Sequence, residues 1–138
     1  MTVYLDTSTV LRVLLGQRAR LDVWGRWEAA YCSELMGLEA RRVIDRLRLE
    51  AALDDEGVAR AQDQLTRIER TIGRIALTRA VLRRAALPMA TAVKTLDAIH
   101  LASAMLFQEH RGIQVIFATH DAQQATAARA LGFECRGA

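Results

Sequence analysis

Four carboxylates carry the chemical content of this sequence: Asp6, Glu39, Asp97 and Asp121. Asp6 directly follows the apolar run Val3-Tyr4-Leu5 and precedes Thr9 to Leu15, a helix-like stretch stopped by Gly16. Asp121 repeats the arrangement after Ile113 to Ala118 and the polar pair Thr119-His120. Open α/β sheets bind ligands outside the carboxyl ends of their strands, where both acids fall. Each also suits a helix N-cap, so neither decides the matter alone. Glu39 lies four residues after Leu35 and four before Val43, on the expected inward stripe of a helix and too far inside it to cap. Burying it unpaired costs several kcal/mol, so an arginine or a metal ion must meet it. Asp97 follows Thr95 in the first turn of an apolar helix, where the helix dipole also favours an acid. Together the four repel one another, and a divalent cation resolves that repulsion. Oxygen-only ligands select Mg²⁺, with Mn²⁺ an alternative, over zinc. One such ion with a water, or two ions, is an apparatus for phosphodiester displacement.

The elements that must position these acids alternate. Strands are expected at residues 3–5, 29–32, 71–77, 113–118 and 133–135, the last at a sheet edge. A short helical piece is expected from Leu21 to Glu28, and Ser33 is expected to cap a helix from Glu34 to Ala51. That helix should bury Leu35, Leu38, Val43, Ile44 and Leu47. Asp54-Asp55-Glu56 opens a charged helix running to Arg70, with Leu65 and Ile68 among its few apolar contacts. Thr78 caps a small helix to Ala86, Pro88 marks a loop to Lys94, and Thr95 caps the helix ended by Gly112. An alanine-rich helix runs from Asp121 to Gly132. Such alternation implies a parallel sheet covered on both faces, a three-layer α/β/α sandwich.

With 138 residues, 51% apolar and 25% charged, the chain is expected to fold as one soluble domain rather than to remain disordered. The most apolar window, Leu96 to Phe107, contains Asp97 and His100 and is too short for a bilayer. The start lacks a basic signal region, so the expected compartment is the cytoplasm, with no membrane partner. Cys32 and Cys135 lack metal-type spacing and read as reduced thiols. The net charge of +3 comes almost wholly from arginine, since Lys94 is the only lysine. Arginine's planar fork suits phosphate, so Arg41, Arg42, Arg74, Arg79, Arg83 and Arg84 are candidates for guiding a nucleic acid.

Four segments together make up a pattern: Val3-Tyr-Leu-Asp-Thr-Ser8; Ser33-Glu-Leu-Met-Gly-Leu-Glu-Ala-Arg-Arg42; Thr95-Leu-Asp-Ala-Ile-His-Leu-Ala-Ser103; and Phe117-Ala-Thr-His-Asp121, with Ala127, Ala128 and Gly132 behind it. In this order and at this length the chain resembles the PIN-domain ribonucleases, and among them the VapC toxins of type II toxin–antitoxin pairs. The resemblance implies a single PIN-like nuclease domain over residues 1–138. It implies Mg²⁺-dependent endonuclease activity on RNA, frequent homodimers, and inhibition by a cognate VapB-type antitoxin. The family's acids match Asp6, Glu39, Asp97 and Asp121, and its supporting hydroxyls match Ser8, Ser33 and Thr119. The charged helix from Asp55 to Arg70 and the loop from Pro88 to Lys94 are this chain's own, and they bear on the RNA target.

Other chemistries fit less well. A haloacid-dehalogenase-like phosphatase needs a second acid two positions after Asp6, where Ser8 stands. A receiver domain needs an acidic pair near its first strand. An RNase A-type mechanism needs two histidines as acid and base. Here His110 and His120 are isolated, and His100 reads as a satisfied core residue on its apolar helix. A catalytically silent PIN-like module that binds RNA or protein is the alternative from another class, and metal-dependent cleavage discriminates the two.

Overall fold

The computed structural model describes residues 1–138. Its elements follow the order β1 (Thr2–Leu5), α1 (Thr7–Leu14), β2 (Ala29–Ser33), α2 (Leu35–Leu49), α3 (Asp55–Thr71), β3 (Gly73–Ile75), α4 (Arg79–Ala85), α5 (Thr95–Arg111), β4 (Ile116–Ala118), α6 (Ala122–Ala130) and β5 (Glu134–Arg136). All strand pairs are parallel and the order is β3-β2-β1-β4-β5, with β5 at one edge. Successive strand residues point to opposite faces, so Val3 and Leu5 face one layer of helices and Tyr4 the other. On the first face Val3, Leu5, Ala30 and Cys32 pack with Val10 of α1, Met36 and Ile44 of α2, and Leu65 and Ile68 of α3. On the second, Tyr4 and Phe117 pack with Leu101 of α5 and Ala127 and Ala128 of α6. Val81 of α4 meets Ile99 and Ala102 of α5 on the outside of that layer. The result is the expected three-layer sandwich.

Several local expectations need correction. Residues 21–28 form turns rather than a helix, with Gly25 at φ +77°, while Leu21 and Val23 are buried against the core. The buried stripe of α2 is Met36, Gly37, Ala40 and Ile44, and Leu38 is 58% exposed. The small residues of that stripe face inward, and Glu39 flanks it. Ser33 ends β2 and is not the N-cap of α2, although its Oγ accepts a hydrogen bond from Leu35 N at 3.1 Å. Thr95 is the first helical residue of α5, behind Lys94 at the N-cap, and makes no side-chain cap. β4 starts only at Ile116, because the chain leaves α5 through left-handed Gly112 and Ile113 stays exposed. β3 is limited to three residues, and β5 lies one residue later than expected.

This topology positions the site. The chain proceeds from β1 to β2 on one side and returns to β4 on the other, so the β1/β4 boundary is the switch point where such sheets leave a crevice. Asp6 N donates to Ala118 O at 2.9 Å and Thr119 N donates to Arg136 O at 3.0 Å, extending the ladders past the strand ends. The residues after Leu5 and Ala118 are thereby fixed side by side.

Candidate active site

Asp6 is 5% exposed and opens α1 as its N-cap. Its Oδ2 accepts hydrogen bonds from Ser8 Oγ at 2.6 Å, Thr119 Oγ1 at 3.0 Å and, more weakly, Ser8 N at 3.4 Å. Thr119 Oγ1 in turn accepts from Asp121 N at 3.0 Å, and Ser8 Oγ accepts from His120 N at 2.9 Å. The two strand ends are thus laced together through two hydroxyls. Asp121 caps α6, its Oδ1 accepting from Gln124 N at 3.0 Å. Capping and site position coincide at both aspartates: one carboxylate oxygen is held by donors, and the other accepts no hydrogen bond within the chain.

Glu39 follows the same rule with different partners. Its Oε1 accepts from Thr7 Oγ1 at 2.8 Å and from His100 Nε2 at 2.6 Å. The cationic partner of this acid is a histidine, not an arginine. His100 is 1% exposed, its Nδ1 lies 2.7 Å from Tyr4 Oη, and its Nε2 stands 3.7 Å from Asp6 Oδ1. Burial by itself pulls the imidazole pKa down. The hydrogen bond to Glu39 and the nearby charges of Asp6, Glu39 and Asp97 outweigh that and leave it raised. Burial likewise pushes Glu39 up, but the hydrogen bond and charge of His100, with Thr7, leave it lowered. Each partner thus favours the charged form of the other.

Asp97 lies in the first turn of α5, and Gln124 of α6 reaches its backbone carbonyl at 3.5 Å. Its carboxylate accepts no hydrogen bond. Burial raises its pKa first, then the charges of Asp6, Asp121 and Glu39, with His100 opposing. Asp97 thus senses the other three acids, which places all four in one electrostatic field. In these side-chain positions no three acids, histidines or cysteines already close on a single point. Magnesium does not demand such a cage, since it keeps several waters and uses one or two carboxylates. A donor set of outward carboxylate oxygens, with no lysine or arginine paired to any of them, fits a hard divalent cation.

The remaining expected residues separate. Ser8 and Thr119 touch Asp6, whereas Ser33 is fully buried with its Oγ directed to the start of α2 and no contact to an acid. Arg41 is bound to Glu69 of α3 at 2.6 Å, and Arg42 lies 3.5 Å from Asp45. Arg84 pairs with Glu109 at 3.1 Å. Arg79 and Arg83 are exposed on α4 and form no ion pair. His100, Tyr4 and Thr7 are the site neighbours that sequence reasoning missed as such. The available signal was His100 standing three residues after Asp97, one helical turn along the same face.

A fold of five parallel strands, with acids gathered at its switch point, defines the class of this protein. It belongs to the PIN domain family, whose model matches residues 3–130. Curated proteins yield no match to its sequence. Among solved structures it is similar to a toxin–antitoxin complex from Klebsiella pneumoniae, at 21% identity and TM-score 0.63 over 93% of each chain. It is also similar to PAE2754 from Pyrobaculum aerophilum, at 18% identity and TM-score 0.63, covering 97% of this chain and 83% of that one. A third likeness is to VapC20 of Mycobacterium tuberculosis, a sarcin-ricin-loop-cleaving toxin, at 16% identity and TM-score 0.62 over 95% of each chain.

Proposed function

We propose that this chain is a Mg²⁺-dependent endoribonuclease toxin of the VapC kind, silenced by a VapB-type antitoxin. The observation that carries the reading is the shared arrangement of Asp6, Glu39 and Asp121. Each has one carboxylate oxygen held by hydrogen-bond donors and the other without a hydrogen bond inside the chain, with only His100 Nε2 near the free oxygen of Asp6 at 3.7 Å, and Asp97 lies in their field. Such preorganisation suits groups that must hold a charged ligand without rearranging. Mg²⁺, when bound, supplies an acidified water and positive charge for the scissile phosphate. Asp6 and Asp97 would hold it, with Glu39 and Asp121 completing the donor set. Exposed Arg79 and Arg83 are free to meet the RNA backbone. Likeness in fold to a toxin–antitoxin complex and to an RNA-cleaving toxin supports the substrate class and the antitoxin.

A homodimer belongs to the same reading. Leu82, Leu87, Met89 and Val93 line a groove of 510 Å³ between α4 and the start of α5, and Leu82 and Leu87 are 46% and 57% exposed. Sedimentation checks this part. No helix is long and apolar enough to cross a membrane, and a cytoplasmic site of action remains part of the proposal.

The deciding experiment is incubation with structured RNA in Mg²⁺ and in EDTA, followed by analysis of the product ends. Attack by water with the 3′-oxygen as leaving group gives 5′-phosphate and 3′-hydroxyl ends, whereas attack by the RNA 2′-hydroxyl gives cyclic 2′,3′-phosphates. Cyclic 2′,3′-phosphates would contradict the mechanism. Binding of RNA without any cleavage would instead support a silent module.

A further inference from the structure

We infer that His100 is a positioning residue, which fixes Glu39 beside Asp6 through its Nε2–H and is itself held by Tyr4. The inference rests on the proposed nuclease reading and deepens it. His100 sits on α5 at the centre of the molecule and touches groups from three other elements: Tyr4 of β1, Thr7 of α1 and Glu39 of α2. It joins the layer of α5 to the opposite layer through the end of the sheet.

Its orientation follows from hydrogen-bonding capacity alone. Nε2 faces Glu39 Oε1 at 2.6 Å and Asp6 Oδ1 at 3.7 Å, and carboxylates only accept. Nε2 therefore carries a proton whether the ring is neutral or charged. At Nδ1 the Tyr4 hydroxyl serves either state, donating to a bare nitrogen or accepting from N–H. Tyr4 is itself immobilised, stacked on Phe117 at 5.2 Å between ring centroids and 1% exposed. The imidazole thus has a fixed back and a fixed front.

The consequence falls on Glu39. With Thr7 Oγ1 and His100 Nε2 both on Oε1, the carboxylate cannot rotate without breaking two hydrogen bonds, and Oε2 keeps one direction. A glutamate has three rotatable side-chain bonds, so an unheld one would spread over several rotamers. Partners behind a ligand orient it and are worth about 10–100-fold in metal affinity or activity. His100, 1% exposed and behind the Glu39 carboxylate, fills that role here.

The test uses the full chain with three substitutions. His100→Leu keeps apolar bulk and removes both ring nitrogens. His100→Gln returns an amide N–H close to the place of Nε2. Tyr4→Phe removes only the support at Nδ1 and retains the stack on Phe117. Mn²⁺ affinity is measured by the loss of the free-ion electron paramagnetic resonance signal, melting is followed in EDTA, and RNA cleavage is measured with Mg²⁺. His100→Leu is expected to weaken Mn²⁺ binding about tenfold or more and to lower kcat about 10–100-fold, with KM for RNA within about twofold. His100→Gln is expected to recover much of both, and Tyr4→Phe to show a smaller loss of the same kind.

Folded His100→Leu that binds Mn²⁺ and cleaves like the wild type would overturn the inference. So would His100→Gln impaired as deeply as His100→Leu, which would assign the ring to core packing. If His100→Leu does not fold, Tyr4→Phe decides: unchanged Mn²⁺ affinity counts against positioning, and weakened affinity supports it. A wild-type protein that binds Mn²⁺ yet cuts no RNA would defeat the nuclease reading and leave the Mn²⁺ comparison to judge His100.

Discussion

Glu39 and His100 form an ion pair of unequal burial, with side chains 22% and 1% exposed. From the sequence, Glu39 faced either an arginine or a metal, and on the metal reading Glu39→Gln leaves the metal-free fold unharmed. The buried histidine changes that expectation. Glu39 has its pKa lowered in the fold, so its contribution is present above the ordinary value of 4.5 and is lost as pH falls through the depressed value. His100 is raised, so its contribution is complete below 6.5 and is lost as pH rises through the elevated value. Both are fully present between 4.5 and 6.5. Glu39→Gln should therefore destabilise the protein in EDTA by about 1.5–3 kcal/mol in that interval, the range for a hydrogen bond to a charged group. The deficit should shrink at higher pH, where wild-type His100 is neutral too. Denaturant unfolding at a series of pH values measures it, and a deficit that grows steadily towards alkaline pH would contradict the assignment. His100 was hard to read because an apolar helix explains a buried histidine without reference to any acid. Its partners come from residues 61 and 96 positions away, a distance that no local pattern encodes.

At the scale of elements, the starts of helices and the ends of strands carried most of the legible information. Asp54 and Thr78 cap α3 and α4 as their sequences indicate, accepting from Gly57 N at 2.7 Å and Val81 N at 3.2 Å. The order of alternating elements was legible because short apolar runs and capped amphipathic stretches differ in length and period. Residues 21–28 misled because Leu21, Val23, Trp24 and Trp27 are apolar for a different reason: they cover the core from a series of turns. α2 misled by one position, since its closest approach uses Gly37 and Ala40, which an apolar count overlooks. Asp121 caps α6 and, on the proposed reading, also belongs to the cation site, and substitution can separate the two roles. Asparagine caps nearly as well as aspartate, whereas alanine does not. Asp121→Asn should keep stability within about 0.5 kcal/mol and lose most cleavage, while Asp121→Ala should lose the cleavage and about 1 kcal/mol besides. Equal melting of the two variants would show that the hydrogen bond to Gln124 N contributes nothing to α6.

Across the whole molecule the charges of opposite sign are differently placed. The chain is net positive, and six of its eighteen arginines pair with acids, among them Arg41 with Glu69, Arg42 with Asp45 and Arg84 with Glu109. The carboxyl end of the central strands instead gathers acids, with His100 among them. The fold therefore holds repulsion in reserve at one place, and Asp97 registers it most clearly, because burial and then Asp6 and Asp121 raise its pKa. A raised carboxyl destabilises the folded state once pH exceeds its unfolded value of 3.8, and the cost persists at neutral pH. Asp97→Asn should remove that cost and raise the melting temperature in EDTA at pH 7. The gain should be less than about 1 kcal/mol, because the group is partly open to water and screened. On the proposed reading, addition of Mg²⁺ should reverse the ranking. A ligand that binds only the native state stabilises it by RT ln(1 + [L]/Kd), or about 2.7 kcal/mol at a hundred times Kd. Wild type should gain progressively with Mg²⁺, while Asp97→Asn, lacking one of the acids, should respond weakly. Sodium chloride at matched ionic strength distinguishes binding from screening, which would raise wild type without saturation. A variant that melts lower than wild type in EDTA, or gains as much from Mg²⁺, would remove Asp97 from the cation site and leave it a residue of the first turn of α5.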